Sequence, residues 1–405
     1  MKKTVRIADP LLFWLLIAAT FVGLFFIFDA GYPREIANGR GVIPSDLRNQ
    51  LIALPIAFLA SFFAAKVHSE AWMKWAKVIW IIAFISLFLP HVPGIGFPQN
   101  GAERWFKIPG LPPIQPAEFA KMAAVLYLAS VFATRKPFEF KKGKDLIDRL
   151  DRNAMPYLKR IWPVLWVGIA AIIIEREPDM GTAFILGVTV FALCLAGGVS
   201  RKTLVMGSLL VLIGGVAFTM SQPYRMARIT NHLHRWDSEN IDSTGYQTVQ
   251  SELGFAEGGV VGVGPGNGRA KHVLPAATTD FVMATVGEEF GILGSLGVLG
   301  LIGFIVFRML ELAGRATTRF GAIAVTGVAA WIGLQAALNI MMSNGLLPAI
   351  GVPMPFISYG GSSLAALWLA LGVCNSALTA VPQEGENRAT RRNGWRDRRS
   401  RLSRA

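Results

Sequence analysis

The chain is short of charge and nearly free of cysteine. Asp, Glu, Lys and Arg make up 16% of its 405 residues, against roughly 25% in an ordinary soluble domain. So sparse a supply of charge does not wrap a water-soluble protein of this size. The apolar residues, 53% of the chain, fall in long unbroken blocks. Both cysteines, Cys194 and Cys374, lie inside such blocks, which argues against a disulfide framework or a cysteine-ligated metal site. The glycine-rich run 258–268 lacks the GK[ST] ending of a nucleotide loop and has no strand and helix alternation around it, so that reading is rejected. No compelling internal repeat is visible, which weakens a transporter built from inverted halves.

What is present is a set of ten apolar windows: 11–28, 51–67, 72–89, 116–134, 161–174, 181–198, 204–220, 281–307, 321–342 and 364–381. Each approaches the length needed to span a bilayer. The expected fold is therefore an all-α polytopic membrane protein of ten transmembrane helices. The first window follows Lys2, Lys3 and Arg6 but is long and lacks a small-residue cleavage site, so it reads as a retained helix rather than a signal peptide. With the N-terminus inside, most of the 40 Lys and Arg residues fall on inner segments, the positive-inside pattern with both termini cytoplasmic. That distribution accounts for the +14 net charge without nucleic acid. The membrane domain is expected to occupy 1–381 and a basic, disordered cytoplasmic tail 382–405, close to anionic headgroups.

Long outer loops indicate where the work is done. The segment 221–280 between the seventh and eighth windows far exceeds the usual loop length, and such loops are commonly functional. Two further outer loops, 91–115 and 343–363, are rich in Gly and Pro, and together the three can roof a cavity. Asp280 ends the large loop where the eighth window begins, a costly place for an ionisable group and so a functional candidate. The bland alternative is that Thr278, Thr279 or Asp280 caps that helix.

Seven segments carry a family resemblance: GAERW (101–105), QPAEFAK (115–121), EPDMGTA (177–183), GYQTVQS (245–251), GNGRAKHVLPAATTDF (266–281), GEEFG (287–291) and GVPMPFISYGGSS (351–363). In order and spacing they resemble the signature segments of the SEDS family, the FtsW and RodA type peptidoglycan glycosyltransferases. The Ala8-Asp9-Pro10 start and the GEE form lean toward the FtsW branch. The resemblance implies polymerisation of lipid II into glycan strands at the outer face of the bacterial inner membrane, for division or elongation. It also implies a class B penicillin-binding protein as partner, alongside other divisome or elongasome proteins. One departure is visible: where the family commonly has an LPEAHTDF-like segment this chain reads LPAATTDF, so Ala276 and Thr278 replace a carboxylate and a histidine while Asp280 is kept. His272 cannot be assumed to compensate.

The implied reaction joins an acceptor sugar hydroxyl to a donor anomeric carbon as a lipid pyrophosphate leaves, and so needs a base and an anion stabiliser. Asp280 is the expected base, since a half-buried carboxylate gains basicity from desolvation. Candidate cations for the pyrophosphate are Arg104, Lys121, Arg225, Arg228, Arg269 and Lys271; for the loop arginines the plain alternative is solvated charge. Glu118 and Lys121 share a helix face at i, i+3, either as a structural pair or as part of the site. If Asp280 and the GEE segment share one continuous helix, Glu288 lies about 80° around from Asp280 and Glu289 opposite it, which puts Glu288 in the site and leaves Glu289 as a brace. Ser358, Tyr359 and Ser362 in the uncharged final loop can donate hydrogen bonds. His232 and His234 lack a third ligand, so no protein metal site is expected, although a magnesium or manganese ion on the pyrophosphate is chemically reasonable. The glycines of 258–268 offer backbone freedom for a loop that admits lipid-tailed substrates. Two rival functions remain open at this point: a lipid II flippase, and a noncatalytic scaffold for a penicillin-binding protein.

Overall fold

The computed structural model describes residues 7–39, 41–99, 102–135, 146–220 and 223–380. The side chains of 99, 146–155, 216–219 and 223–225 lie outside that description, as does the basic tail expected at 382–405. In chain order the helices are α1 (Pro10–Ala37), α2 (Ser45–Lys66), α3 (Ser69–Ser86), α4 (Pro116–Thr134), α5 (Leu146–Arg176), α6 (Met180–Ala196), α7 (Arg201–Met220), α8 (Pro223–Leu233), α9 (Tyr246–Gly258), α10 (Ala270–Val273), α11 (Val282–Gly314), α12 (Arg319–Ser343) and α13 (Gly361–Leu378). Among the described residues eight are long and apolar enough to cross a membrane: α1 to α5 and α11 to α13. The shorter α6 and the 20-residue α7 lie over the two remaining apolar windows.

Local chemistry sets the helix starts. Pro10 opens α1 with its missing N–H at a position where none is needed, while the Asp9 carboxylate accepts from Leu12 N at 2.7 Å. Thr318 caps α12 in the same way through Gly321 N at 3.1 Å. Packing then sorts the helices into a centre and a rim. In α4, α12 and α13 the buried share of the apolar window is 72%, 67% and 67%, against 22% in α2, α3, α5 and α11, so the first three form the core and the others present apolar flanks outward. Close approach relies on small residues, as is usual where lipid removes any hydrophobic drive between helices. At Gly372 of α13 an added Cβ would lie 2.3 Å from the Ser61 carbonyl oxygen of α2.

Three features depart from the sequence expectation. The 91–115 loop is not wholly irregular: β1 (Gly96–Gln99) and β2 (Ala102–Phe106) pair as an antiparallel hairpin, Phe97 facing Trp105. The segment 221–280 holds α8, α9 and α10 rather than open loop. The eighth window also forms a broken helix, because α11 starts at Val282 and has non-helical φ 66 and ψ −160 at Gly291. The glycine run inserts its backbone into that break. Val263 N donates to Glu288 O at 3.0 Å, Gly264 N to Glu289 O at 3.1 Å, and Ile292 N to Gly259 O at 2.9 Å. Gly259 and Gly264 of that run are therefore engaged in backbone hydrogen bonds with α11.

Replacing Gly372 by Leu forces α13 away from α2 and is expected to cost about 1–3 kcal/mol, as overpacking does. Gly207, on α7 with nothing within 4 Å of an added Cβ, serves as the control for the same substitution. Thermal unfolding of the two variants in lipid nanodiscs checks this: a lowered midpoint is expected for Gly372→Leu alone.

Candidate active site

The site forms where the N-terminal ends of α4, α6 and α11 and the C-terminal end of α12 meet the β1/β2 hairpin. The EPDMGTA segment turns the chain from α5 into α6, and Asp179 caps α6, accepting from Thr182 N at 3.0 Å through Oδ1. Its other oxygen accepts from Gln115 Nε2 at 2.7 Å, at the start of α4. Arg104 reaches across from β2. Its Nε donates to Glu177 O at 2.7 Å and its terminal nitrogen to Pro178 O, so two backbone carbonyls aim the guanidinium without neutralising it.

The segment leading to Asp280 is held at three successive carbonyls. Thr278 O accepts from Tyr359 N at 2.8 Å, Thr279 O from Ser358 Oγ at 2.5 Å, and Asp280 O from Asn339 Nδ2 at 2.8 Å. The Asn339 amide also donates to Val352 O at 2.7 Å, tying α12 to the 343–363 loop. Thr278 Oγ1 donates to Asp46 Oδ2 at 2.6 Å. Asp280 does not cap α11, since that position is Phe281 and has no side-chain cap bond. Among the described residues no group hydrogen-bonds or ion-pairs with the Asp280 carboxyl, which is half-buried beside Gly351. Burial, reinforced by the charge of Asp179 and opposed by Arg104, pushes this carboxyl up to about 6. Burial and the same neighbour push Glu177 up to about 8, again against Arg104. Asp179 is raised as well, chiefly by burial. At neutral pH the group ready to accept a proton is thus Asp280, while Glu177 is mostly protonated.

Other expected site residues fall in different places. Lys121 and Glu118 pair at 2.8 Å in the interior of α4, and Lys121 adds Gln335 Oε1 at 3.2 Å and the Trp331 ring at 4.7 Å. Gln335 Nε2 donates to Pro353 O at 2.9 Å, so this buried pair supports the 343–363 loop. Lys271 does not offer its ammonium outward: it bridges Asp29 of α1 at 2.7 Å and Glu289 of α11 at 2.5 Å. Burial alone would lower its pKa, but the hydrogen bonds it donates to those two carboxylates leave it raised. The 80° placement of Glu288 rested on one helix running from Asp280, and the helix begins later. Both glutamates turn instead to the loop, Glu288 accepting from Arg269 N and Ala270 N at 2.7 Å each and Glu289 from Gly266 N at 2.9 Å and Gly268 N at 3.1 Å. Arg228 is half-buried on α8, Arg269 is exposed, and the Arg225 side chain lies outside the described residues. The three hydroxyls hold loops together: Ser358 as above, Tyr359 with Asn49 at 3.4 Å, and Ser362 accepting from Gln115 N at 3.0 Å while donating to Pro113 O at 3.2 Å.

Sequence reasoning passed over Glu177, Asp179, Gln115 and Asn339. The Asp179 signal was available, since an aspartate three residues before a threonine at the mouth of an apolar run is an N-cap pattern. A pyrophosphate leaving group invites a divalent cation, but among the described residues no three His, Cys, Asp or Glu side chains converge to hold one.

Comparison with known proteins settles the lineage. A family model for FtsW/RodA/SpoVE, described as cell cycle proteins, matches residues 10–381. The chain belongs to this family. FtsW/RodA/SpoVE relatives include a probable peptidoglycan glycosyltransferase FtsW of Coxiella burnetii, 35% identical over 83% of this chain and 86% of its own. The stage V sporulation protein E of Bacillus subtilis is 32% identical over 80% and 85%. Among solved structures, a chain of a peptidoglycan synthase complex that coordinates polymerization and crosslinking aligns with TM-score 0.69 at 25% identity, covering 91% of this chain and 97% of that one. The architecture is thus that of a multi-pass membrane protein of the FtsW/RodA type.

The Lys121 and Glu118 geometry makes a stability prediction. Either Lys121→Ala or Glu118→Ala leaves a buried charge unpaired at a cost of about 3–5 kcal/mol, whereas Glu118→Gln with Lys121→Met removes both charges and should recover most of it. Thermal unfolding of the three variants decides: unchanged stability in the single variants, with activity lost, would place Lys121 in substrate contact instead.

Proposed function

We propose that this chain is a peptidoglycan glycosyltransferase that polymerises lipid II at the outer face of the bacterial inner membrane, with Asp280 as the general base. The single observation that carries the role is the Asp280 carboxyl: it is raised to about 6 and has no protein partner among the described residues, on a backbone tied down at three successive carbonyls. The acceptor's 4-hydroxyl oxygen attacks the donor anomeric carbon, the bond from that carbon to the pyrophosphate oxygen breaks, and the hydroxyl proton passes to Asp280. The centre inverts. The charge of Arg104 acts on the Asp280 carboxyl, and its carbonyl-held guanidinium supports a role in stabilising the departing pyrophosphate. Glycosyltransferase names among the relatives and the synthase-complex relative support the substrate class and a class B penicillin-binding protein as partner. The distribution of Lys and Arg along the chain supports ten spans with both termini cytoplasmic.

The test is Asp280→Asn in the purified full chain with its penicillin-binding partner and lipid II in detergent, where transport has no meaning. The swap is nearly isosteric and removes the proton acceptor, so polymerisation should fall by about 10²-fold or more with the thermal midpoint and partner binding unchanged. Near-normal glycan synthesis by the variant would end the assignment.

A further inference from the structure

The helix α8 is amphipathic the wrong way round for a helix facing water. Its apolar residues Met226, Ile229 and Leu233 recur at i, i+3 and i+7, so they form one stripe, and all three are exposed, Leu233 at 71%. Trp236, just past the helix end on the continuation of the stripe, is 49% exposed. The half-buried positions are the polar ones: Arg228, Asn231, His232 and, beyond the helix, Arg235. Arg235 Nε donates to Glu252 Oε1 of α9 at 2.6 Å, and its guanidinium also reaches Gly345 O at 3.3 Å. The polar side is thus turned toward the protein and the apolar side away from it.

Chain geometry says what the outward stripe meets. α8 begins at Pro223, three residues after Met220 ends α7, so it cannot leave the level at which that apolar helix emerges. α7 is itself exposed along its apolar length, from Val211 at 76% to Met220 at 67%. A tryptophan with an exposed ring beside such a helix fits the interfacial zone, where amphipathic rings concentrate.

We propose that α8 lies in the plane of the membrane surface, its Met226, Ile229 and Leu233 stripe sunk into the boundary between headgroups and acyl chains of the outer leaflet. The occupant of the stripe is lipid, not a partner protein or a second copy. Through Arg235 and Glu252 this anchor holds α9, which packs on α11, so the bilayer surface fixes the height of the loop that ends at Asp280. The placement does not depend on the chemistry proposed above.

The experiment attaches a bimane fluorophore to the full chain in lipid nanodiscs through Ile229→Cys, Leu233→Cys or, as a water-exposed control, Asp242→Cys. The native Cys194 and Cys374 are buried, and the unlabelled parent verifies that neither reacts. Lipids carrying a doxyl group at acyl carbon 5 should lower emission at 229 and 233 at least about two-fold more than at 242, with aqueous iodide giving the reverse order. Iodide quenching at 229 and 233 equal to that at 242 would put the stripe in water and overturn the proposal. Protection from both quenchers would mean that a protein segment covers it, which overturns it equally.

Discussion

A charge taken from water into a helical bundle must find a partner, because the effective penalty is several kcal/mol per ion. This constraint organises the half of the bundle that carries Asp280. Glu118 is answered by Lys121, and Asp29 and Glu289 share Lys271. Glu288 is answered by two backbone N–H groups, and Asp179 by a helix start and the Gln115 amide. Glu177 and Asp280 have no such partner among the described residues; Glu177, pushed up to about 8, keeps its proton at neutral pH, whereas Asp280, at about 6 between Asp179 and Arg104, is the exception that is mostly ionised. A buried group whose charge is unanswered at rest is one that a substrate proton can answer.

The paired charges serve that exception. Lys121 and Gln335 brace the 343–363 loop from below, while Ser358, Tyr359 and Asn339 fix the Thr278 to Asp280 backbone from the side. Glu288, Glu289 and Lys271 clamp the glycine run and α10 onto the broken α11 and onto α1. The break at Gly291 makes the clamp possible, since an intact helix has no free carbonyls to receive Val263 and Gly264.

Much of this was legible in the chain. Eight of the ten apolar windows mapped onto helices long and apolar enough to cross a membrane, because burial in lipid demands a long apolar run whatever the packing. The Glu118 and Lys121 pair was readable because both sit on one helix at i, i+3, a spacing that fixes proximity without tertiary knowledge. Long-range partners were not readable: nothing in the order of residues announces that Lys271 meets Asp29, or that Asn339 holds Asp280 O. The expectation for Glu288 failed for a local reason, since it assumed a helix running from Asp280 and α11 starts only at Val282, after a non-helical Phe281. The hydroxyls of Ser358, Tyr359 and Ser362 looked available because sequence does not show the partners already waiting for them, carbonyls for the two serines and the Asn49 amide for Tyr359.

The central claim is that Asp280 works as a base whose affinity for protons is set by burial and by Asp179. The direct measurement is the pH dependence of kcat/KM for lipid II polymerisation by the parent chain and by Asp179→Asn, which keeps a capping side chain on α6 but removes its charge. For the parent, activity should rise with pH through about 6 as Asp280 loses its proton. Removing the negative neighbour lowers the Asp280 pKa, so the acid limb of the variant should move to lower pH. An acid limb at the same pH in both proteins, or none near 6, would contradict the account.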